Sequence, residues 1–223
     1  IFWRIRQLDV AIYWLNNYMS YSRLLTYGDV IPLRFTCDPS KLLKEVKDFK
    51  FHQYNPRKDI PRNGLSITSL KGELDGIDLD SIVEYNKENN VHYTELDFNT
   101  ITDVYHKSEE VQKVVEPWKK YLGRSHILHL PEGGYFPPHR DLARYRENQQ
   151  SMRILIPLKE CNPPSMYFIL DDKTLNFEHG RAYFVNTNKM HSLFSFRDSY
   201  MIVLNVQSNS ETYDIIGNNF LNR

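Results

Sequence analysis

The C-terminal half of this 223-residue chain is a succession of short β-rich runs separated by turn signals, and that spacing limits the folds open to it. The runs are SHILHL (125–130), MRILIPL (152–158), SMYFIL (165–170), RAYFVNT (181–187), HSLFSF (191–196) and SYMIVLNV (199–206). Each is dominated by residues that suit a pleated, half-buried surface. Asp171, Asp172 and Lys173 between two runs form a plausible hairpin loop. Short strands at this spacing are the pattern of a sandwich or barrel. The expected fold is α+β: a double-stranded β-helix, or jelly roll of cupin-like type, over residues 124–210. A helical and mixed support region is expected over 1–123 and a tail over 211–223, all in one domain spanning 1–223.

The first half carries helix signals. Asp38 is placed to cap a helix with Pro39 at its first position, and Leu42, Leu43, Val46 and Phe49 follow along one face. Residues 108–123 predict a second helix from Ser108 to a terminal Gly123, kinked or broken at Pro117. Residues 78–89 predict a short helix, and 64–70 alternate like a strand. The first segment, IFWRIRQLDVAIYWLNNYM, is apolar but interrupted by Arg4, Arg6 and Asp9. It predicts a buried or docking helix rather than a leader or a membrane span.

Composition narrows the function classes. With 28 basic and 28 acidic side chains the formal net charge is zero, which gives no electrostatic reason to expect nucleic acid or an anionic membrane as partner. Two cysteines, Cys37 and Cys161, are too few for a disulfide framework and lack metal-finger spacing, so both are expected as reduced thiols in a cytoplasmic compartment. Phosphate loops, nucleophile elbows and His-Glu-x-x-His are absent from the sequence.

What remains is EGGYFPPHRDLARYR, from Glu132 to Arg146. His139 and Asp141 are two apart, so on a strand both side chains reach one point. His191 opens a later run, fifty residues beyond Asp141, and a jelly roll returns a late strand beside an early one. Two histidines and one carboxylate are the facial triad that holds non-haem Fe(II) and leaves the other positions open. A His-x-Asp alone is a common accident, and a lone histidine is more often a packed one; the ordered combination is what points to a metal site.

From His126 to Ser208 the chain resembles the Fe(II)/2-oxoglutarate-dependent oxygenases, and within them the aspartyl/asparaginyl β-hydroxylase branch, which includes enzymes similar to the L-proline cis-4-hydroxylases. The segments that carry the resemblance are HILHLPEGGYFPPHRD, MRILIPL, HGRAYFVNTNKMHS and SYMIVLNV. It implies that His139, Asp141 and His191 hold Fe(II), that 2-oxoglutarate chelates the metal, and that O2 takes the remaining position. The implied reaction hydroxylates an unactivated C–H of an amino acid, free or in a polypeptide, with decarboxylation of 2-oxoglutarate to succinate.

The chain departs from that pattern where the cosubstrate is anchored. The family places an Arg ten residues after the distal His; here that residue is Met201, with Arg197 nearby in the turn. Arg-x-His on the strand after the ligand turn has become Arg153 and Leu155. Arg153 is the leading substitute anchor for the cosubstrate carboxylate; binding a substrate carboxylate, or lying on an edge strand, are its other readings. His126 and His129 are three apart and face opposite ways, so one at most enters the barrel; His129 is the candidate cosubstrate contact, with a structural role as the alternative. Arg144 and Arg146 are either substrate-recognising residues of a lid or part of a solvated loop, and Asn205 is expected to face inward and meet substrate. A cupin-like enzyme using the triad without 2-oxoglutarate, and a non-catalytic binding module, are the competing functions.

Overall fold

The computed structural model describes residues 20–141 and 151–221; the first predicted helix lies outside them. Among the described residues thirteen strands form three sheets. They are β1 (Val30–Thr36), β2 (His52–Gln53), β3 (Asn63–Ser66), β4 (Thr68–Ser69), β5 (Thr100–Ile101), β6 (His126–Leu130), β7 (Tyr135–His139), β8 (Ser151–Lys159), β9 (Met166–Leu170), β10 (Lys173–Leu175), β11 (Arg181–Val185), β12 (His191–Ser195) and β13 (Ser199–Gln207). The major sheet has the order β1-β11-β8-β13-β6-β3-β2, the minor sheet β10-β9-β12-β7, and β4 pairs with β5. All the strand pairs are antiparallel. Two facing antiparallel sheets plus several helices make the chain an α+β jelly roll.

Strand alternation divides the core in two. Ile154, Ile156, Ile202, Leu204, Val206 and Ile127 point from the major sheet toward the helices, where they pack with Leu42, Val111, Val114 and Trp118. Their neighbours of opposite parity, Leu155, Met201, Leu128, Tyr183 and Val185, point toward the minor sheet and meet Phe168, Leu170 and Leu193. The second cluster is the jelly-roll interior.

Local chemistry sets the helices. Asp38 caps the helix Pro39–Glu45, accepting from the Ser40 and Lys41 amides. Ser108 caps the helix Glu109–Val115, which changes to a 3-10 helix over Glu116–Tyr121 where Pro117 removes a donor. Gly123 does not serve there as a left-handed cap. It passes so close to residue 95 that a Cβ would lie 2.6 Å from the Glu95 carbonyl oxygen. The predicted hairpin has the two-residue loop Asp171–Asp172, with Asp171 at φ 52°.

Two boundaries differ from the sequence reading. β1, β2 and β3 come from the supposed support region and flank the major sheet, so its strands begin well before residue 124. The expected tail contains the helix Ser210–Asn219, capped by Asn209 and packed through Ile216 into the core. Both cysteines are free, and burial pushes each thiol up to about 12. Among the described residues no helix is long and apolar enough to cross a membrane.

Candidate metal centre

β7 is the outer strand of the minor sheet, which is why it tolerates Pro137 and Pro138. Its last residue, His139, pairs directly with His191, the first residue of β12. The two rings face each other with centroids 4.2 Å apart. Asp141 lies just past the strand and is fixed by its amide, which donates to the Thr187 carbonyl at 3.0 Å. One ligand atom from each of His139, Asp141 and His191 lies within 4.8 Å of the others. Sheet pairing therefore supplies the two imidazoles and a backbone hydrogen bond places the carboxylate.

The imidazoles are set in the tautomer a metal needs. His139 Nδ1 lies 2.7 Å from the Pro137 carbonyl and His191 Nδ1 lies 3.0 Å from the Lys189 carbonyl. A carbonyl only accepts, so each Nδ1 carries the proton and each Nε2 lone pair is left for a cation. Burial pulls the His191 imidazole below its ordinary value, with Asp141 acting in the opposite direction. Burial alone would raise the Asp141 carboxyl; Arg153, His191 and the Thr187 side chain outweigh it and hold the group below its usual range. Two imidazole nitrogens and one ionised oxygen on one side of a point fit Fe(II).

Behind the triad, the major sheet lines the cavity in layers. At the mouth Arg153 pairs with Asn205 across the sheet; one step in, Val203 lies between His126 and Leu155; deeper still, Met201 lies between Leu128 and Pro157. Arg153 Nε donates to Asp141 Oδ2 at 2.8 Å, and its Nη1 is 3.8 Å from Glu95. Glu95 also accepts from Arg124 and from the Asn205 amide, at 2.8 to 3.1 Å. The mouth thus holds two guanidiniums against two carboxylates. The floor is apolar, made by Met201, Leu128, Leu155, Leu193 and Phe168. For 2-oxoglutarate the fit is divided: the oxo-acid end has the open side of the triad and Arg153 beside it, whereas the 5-carboxylate meets no cation on the floor.

The other sequence candidates fall in different places. His129 is on the outward face of β6, stacked on Tyr200 with centroids 4.3 Å apart, and its neighbour in the cavity wall is His126 instead. Register decides this: His126 and Leu128 share the inward parity and His129 does not. Arg197 is in the exposed turn after β12, at the end of that strand away from His191, where its carbonyl accepts from Ser195 and Ser199. It is remote from the triad. Asn205 is fully buried and bonded to Glu95 rather than open to a substrate. Arg144 and Arg146 lie outside the described residues. Sequence reasoning missed Glu95 and Arg124, because a carboxylate in a 3-10 turn and an arginine before a strand carry no pattern that brings them together.

The fold and the site together define a jelly roll with a candidate mononuclear metal centre. No family model matches the chain, and no curated protein matches it. Among solved structures it is similar to a prolyl hydroxylase from Trichoplax adhaerens in complex with a hypoxia inducible factor peptide fragment, at 12% identity and TM-score 0.46 over 94% of each chain. It is similar to a prolyl-4-hydroxylase from Pseudomonas putida at 11% identity and TM-score 0.45, covering 83% of this chain and 95% of that one. A third is the viral collagen prolyl hydroxylase of Paramecium Bursaria Chlorella virus-1, at 10% identity and TM-score 0.44, covering 82% and 97%. Likenesses this distant carry no argument about the chemistry; the side chains of the site do.

Proposed function

We propose that the chain is an Fe(II)-dependent dioxygenase that uses O2 and a 2-oxo acid, 2-oxoglutarate by the family resemblance, to hydroxylate an unactivated C–H of an amino-acid residue. The observation that carries this is the convergence of His139, Asp141 and His191 with both Nδ1 atoms already committed to carbonyls. Bound iron would activate O2, the oxidant, with the oxo acid giving two electrons as it loses CO2; one oxygen atom would enter the shortened acid and the other the C–H bond. The protein's own groups do the rest. His139, Asp141 and His191 would hold the metal from one side. Arg153 keeps Asp141 ionised and aimed, and Phe168, whose ring stacks near His191 at 6.0 Å, helps wall that side from water.

An open groove of about 780 Å3 runs outward from His139 and Asp141, lined by Tyr54, Arg62, Tyr93 and Arg140 among others. The apolar floor gives specific support to a second reading, a metal-dependent jelly roll that uses no oxo acid.

The test is anaerobic Fe(II) calorimetry followed by measurement of O2 uptake and CO2 release with 2-oxo acids. Tight binding of one equivalent and oxo-acid-dependent CO2 release are expected. Iron binding with no such dependence selects the second reading, and no iron binding removes both.

A further inference from the structure

We propose that the cavity behind the triad takes a 2-oxo monocarboxylic acid with a short apolar side chain in preference to a 2-oxo dicarboxylic acid. This rests on the oxo-acid reading above and deepens it by naming the cosubstrate class.

The strand register fixes what a bound acid meets. A ligand anchored at the triad and extending inward first meets the His126–Val203–Leu155 layer, with Leu128 and Met201 beyond it. Each layer lies roughly 6.8 Å beyond the last, since two residues of strand separate them. Leu193 and Phe168 close the opposite wall from the minor sheet. Met201 and Phe168 are each 2% exposed, and Leu155 is 3% exposed. A carboxylate delivered there would be desolvated with no cation to receive it.

The cations at the mouth do not repair this. Arg124 and Arg153 are the permanently charged bases among the described cavity-lining residues. Arg124 donates to Glu95 and to the Asp78 and Asp80 carbonyls, and Arg153 donates to Asp141. Each already pairs with a carboxylate at the mouth, Arg124 with Glu95 and Arg153 with Asp141, and neither lies on the apolar floor. His126 has a buried Nδ1 with no partner, but burial beside Arg124 and Arg153 keeps its ring neutral, so it offers a dipole rather than a charge. An apolar side chain meets none of these difficulties, and each methylene it buries improves affinity about fourfold. The cavity, about 90 Å3, limits that side chain to a few carbons; an apolar site of about 150 Å3 is what a benzene ring occupies.

The experiment uses the Fe(II)-loaded chain under anaerobic conditions, titrated separately with 4-methyl-2-oxopentanoate and 2-oxoglutarate. The visible metal-to-ligand charge-transfer band reports chelation without turnover. Saturation by 4-methyl-2-oxopentanoate at a concentration at least about tenfold lower is expected, and Met201→Arg should reverse the order by placing a cation on the floor. Equal or tighter binding of 2-oxoglutarate to the unaltered chain overturns the proposal while leaving the dioxygenase reading standing. A band with neither acid, in protein that binds iron, overturns both. The comparison on the unaltered chain decides the matter even if Met201→Arg fails to fold.

Discussion

Arg153 Nε donates to Asp141 Oδ2 at 2.8 Å, so the arginine expected to anchor a cosubstrate is paired with the carboxylate of the candidate triad. A carboxylate just beyond the end of an edge strand has two oxygens and free rotation. The guanidinium occupies one oxygen and leaves Oδ1, 3.9 Å from His139 Nε2, for the candidate metal position.

Arg153→Ala is therefore expected to weaken Fe(II) affinity roughly 10- to 100-fold, the range seen when a metal ligand loses its supporting partner. Arg153→Lys should recover part of that loss, because a point charge can pair with the carboxylate without matching its geometry. Anaerobic calorimetry measures both. Unchanged iron affinity in the alanine variant would return Arg153 to the cosubstrate.

His139→Ala and His191→Ala should each reduce Fe(II) affinity more than about 100-fold, beyond what loss of a supporting partner does. For His139, at the outer strand and 36% exposed in its side chain, the melting temperature should move by less than about 3 °C. Near-normal iron binding by both variants would dissolve the triad.

Glu95→Gln leaves Arg124 and Arg153 facing each other without their shared carboxylate. Removing one partner of a buried pair costs about 3–5 kcal/mol, but Glu95 is about one-third exposed, and screening reduces the expected loss to about 1–2 kcal/mol. Denaturant unfolding measures it. The same change should strengthen binding of anionic ligands at the mouth, 2-oxoglutarate included, and the charge-transfer titration reads that.

Asp78 gives the chain a pH signature. Burial pushes its carboxyl up to about 6, against the lowering effect of the Ser66 hydroxyl and Arg124, and its Oδ2 has no partner. The folded state then binds a proton more tightly than the unfolded chain does. Its contribution is fully present below pH 4 or so and is lost as pH rises through about 6. Asp78→Asn should accordingly stabilise the protein by a few kcal/mol at most, about 1.4 for each unit of displacement, at pH 7.5 and by almost nothing at pH 4. Thermal melts at the two pH values check the sign; equal effects at both would show that the buried carboxyl is not perturbed.

The legible part of this molecule is what local periodicity encodes. Strands β6, β8, β9, β11, β12 and β13 follow from β-rich runs bounded by turn signals, and the triad follows from His139-x-Asp141 combined with the return of His191. The Asp38 cap was readable for the same reason, since a cap acts within three residues. The obscured part depends on distant partners. Nothing near Glu95 indicates that it will meet Arg124, 29 residues later, or Asn205, 110 residues later. The choice between His126 and His129 depended on which face of β6 turned inward, and the flanking residues are apolar on both parities. β1 shows its place only through β11.

That last pairing also bears on how the protein is made. Ile31 lies opposite Phe184 in the finished sheet, so an early strand has no partner until most of the chain has been synthesised. At about 5–20 residues per second a ribosome needs roughly 8–30 s to cover that stretch. Throughout that interval Ile31 and Leu33, both almost wholly inaccessible once folded, remain exposed on a nascent chain. β1 is thus the segment a holdase chaperone would most usefully cover during translation.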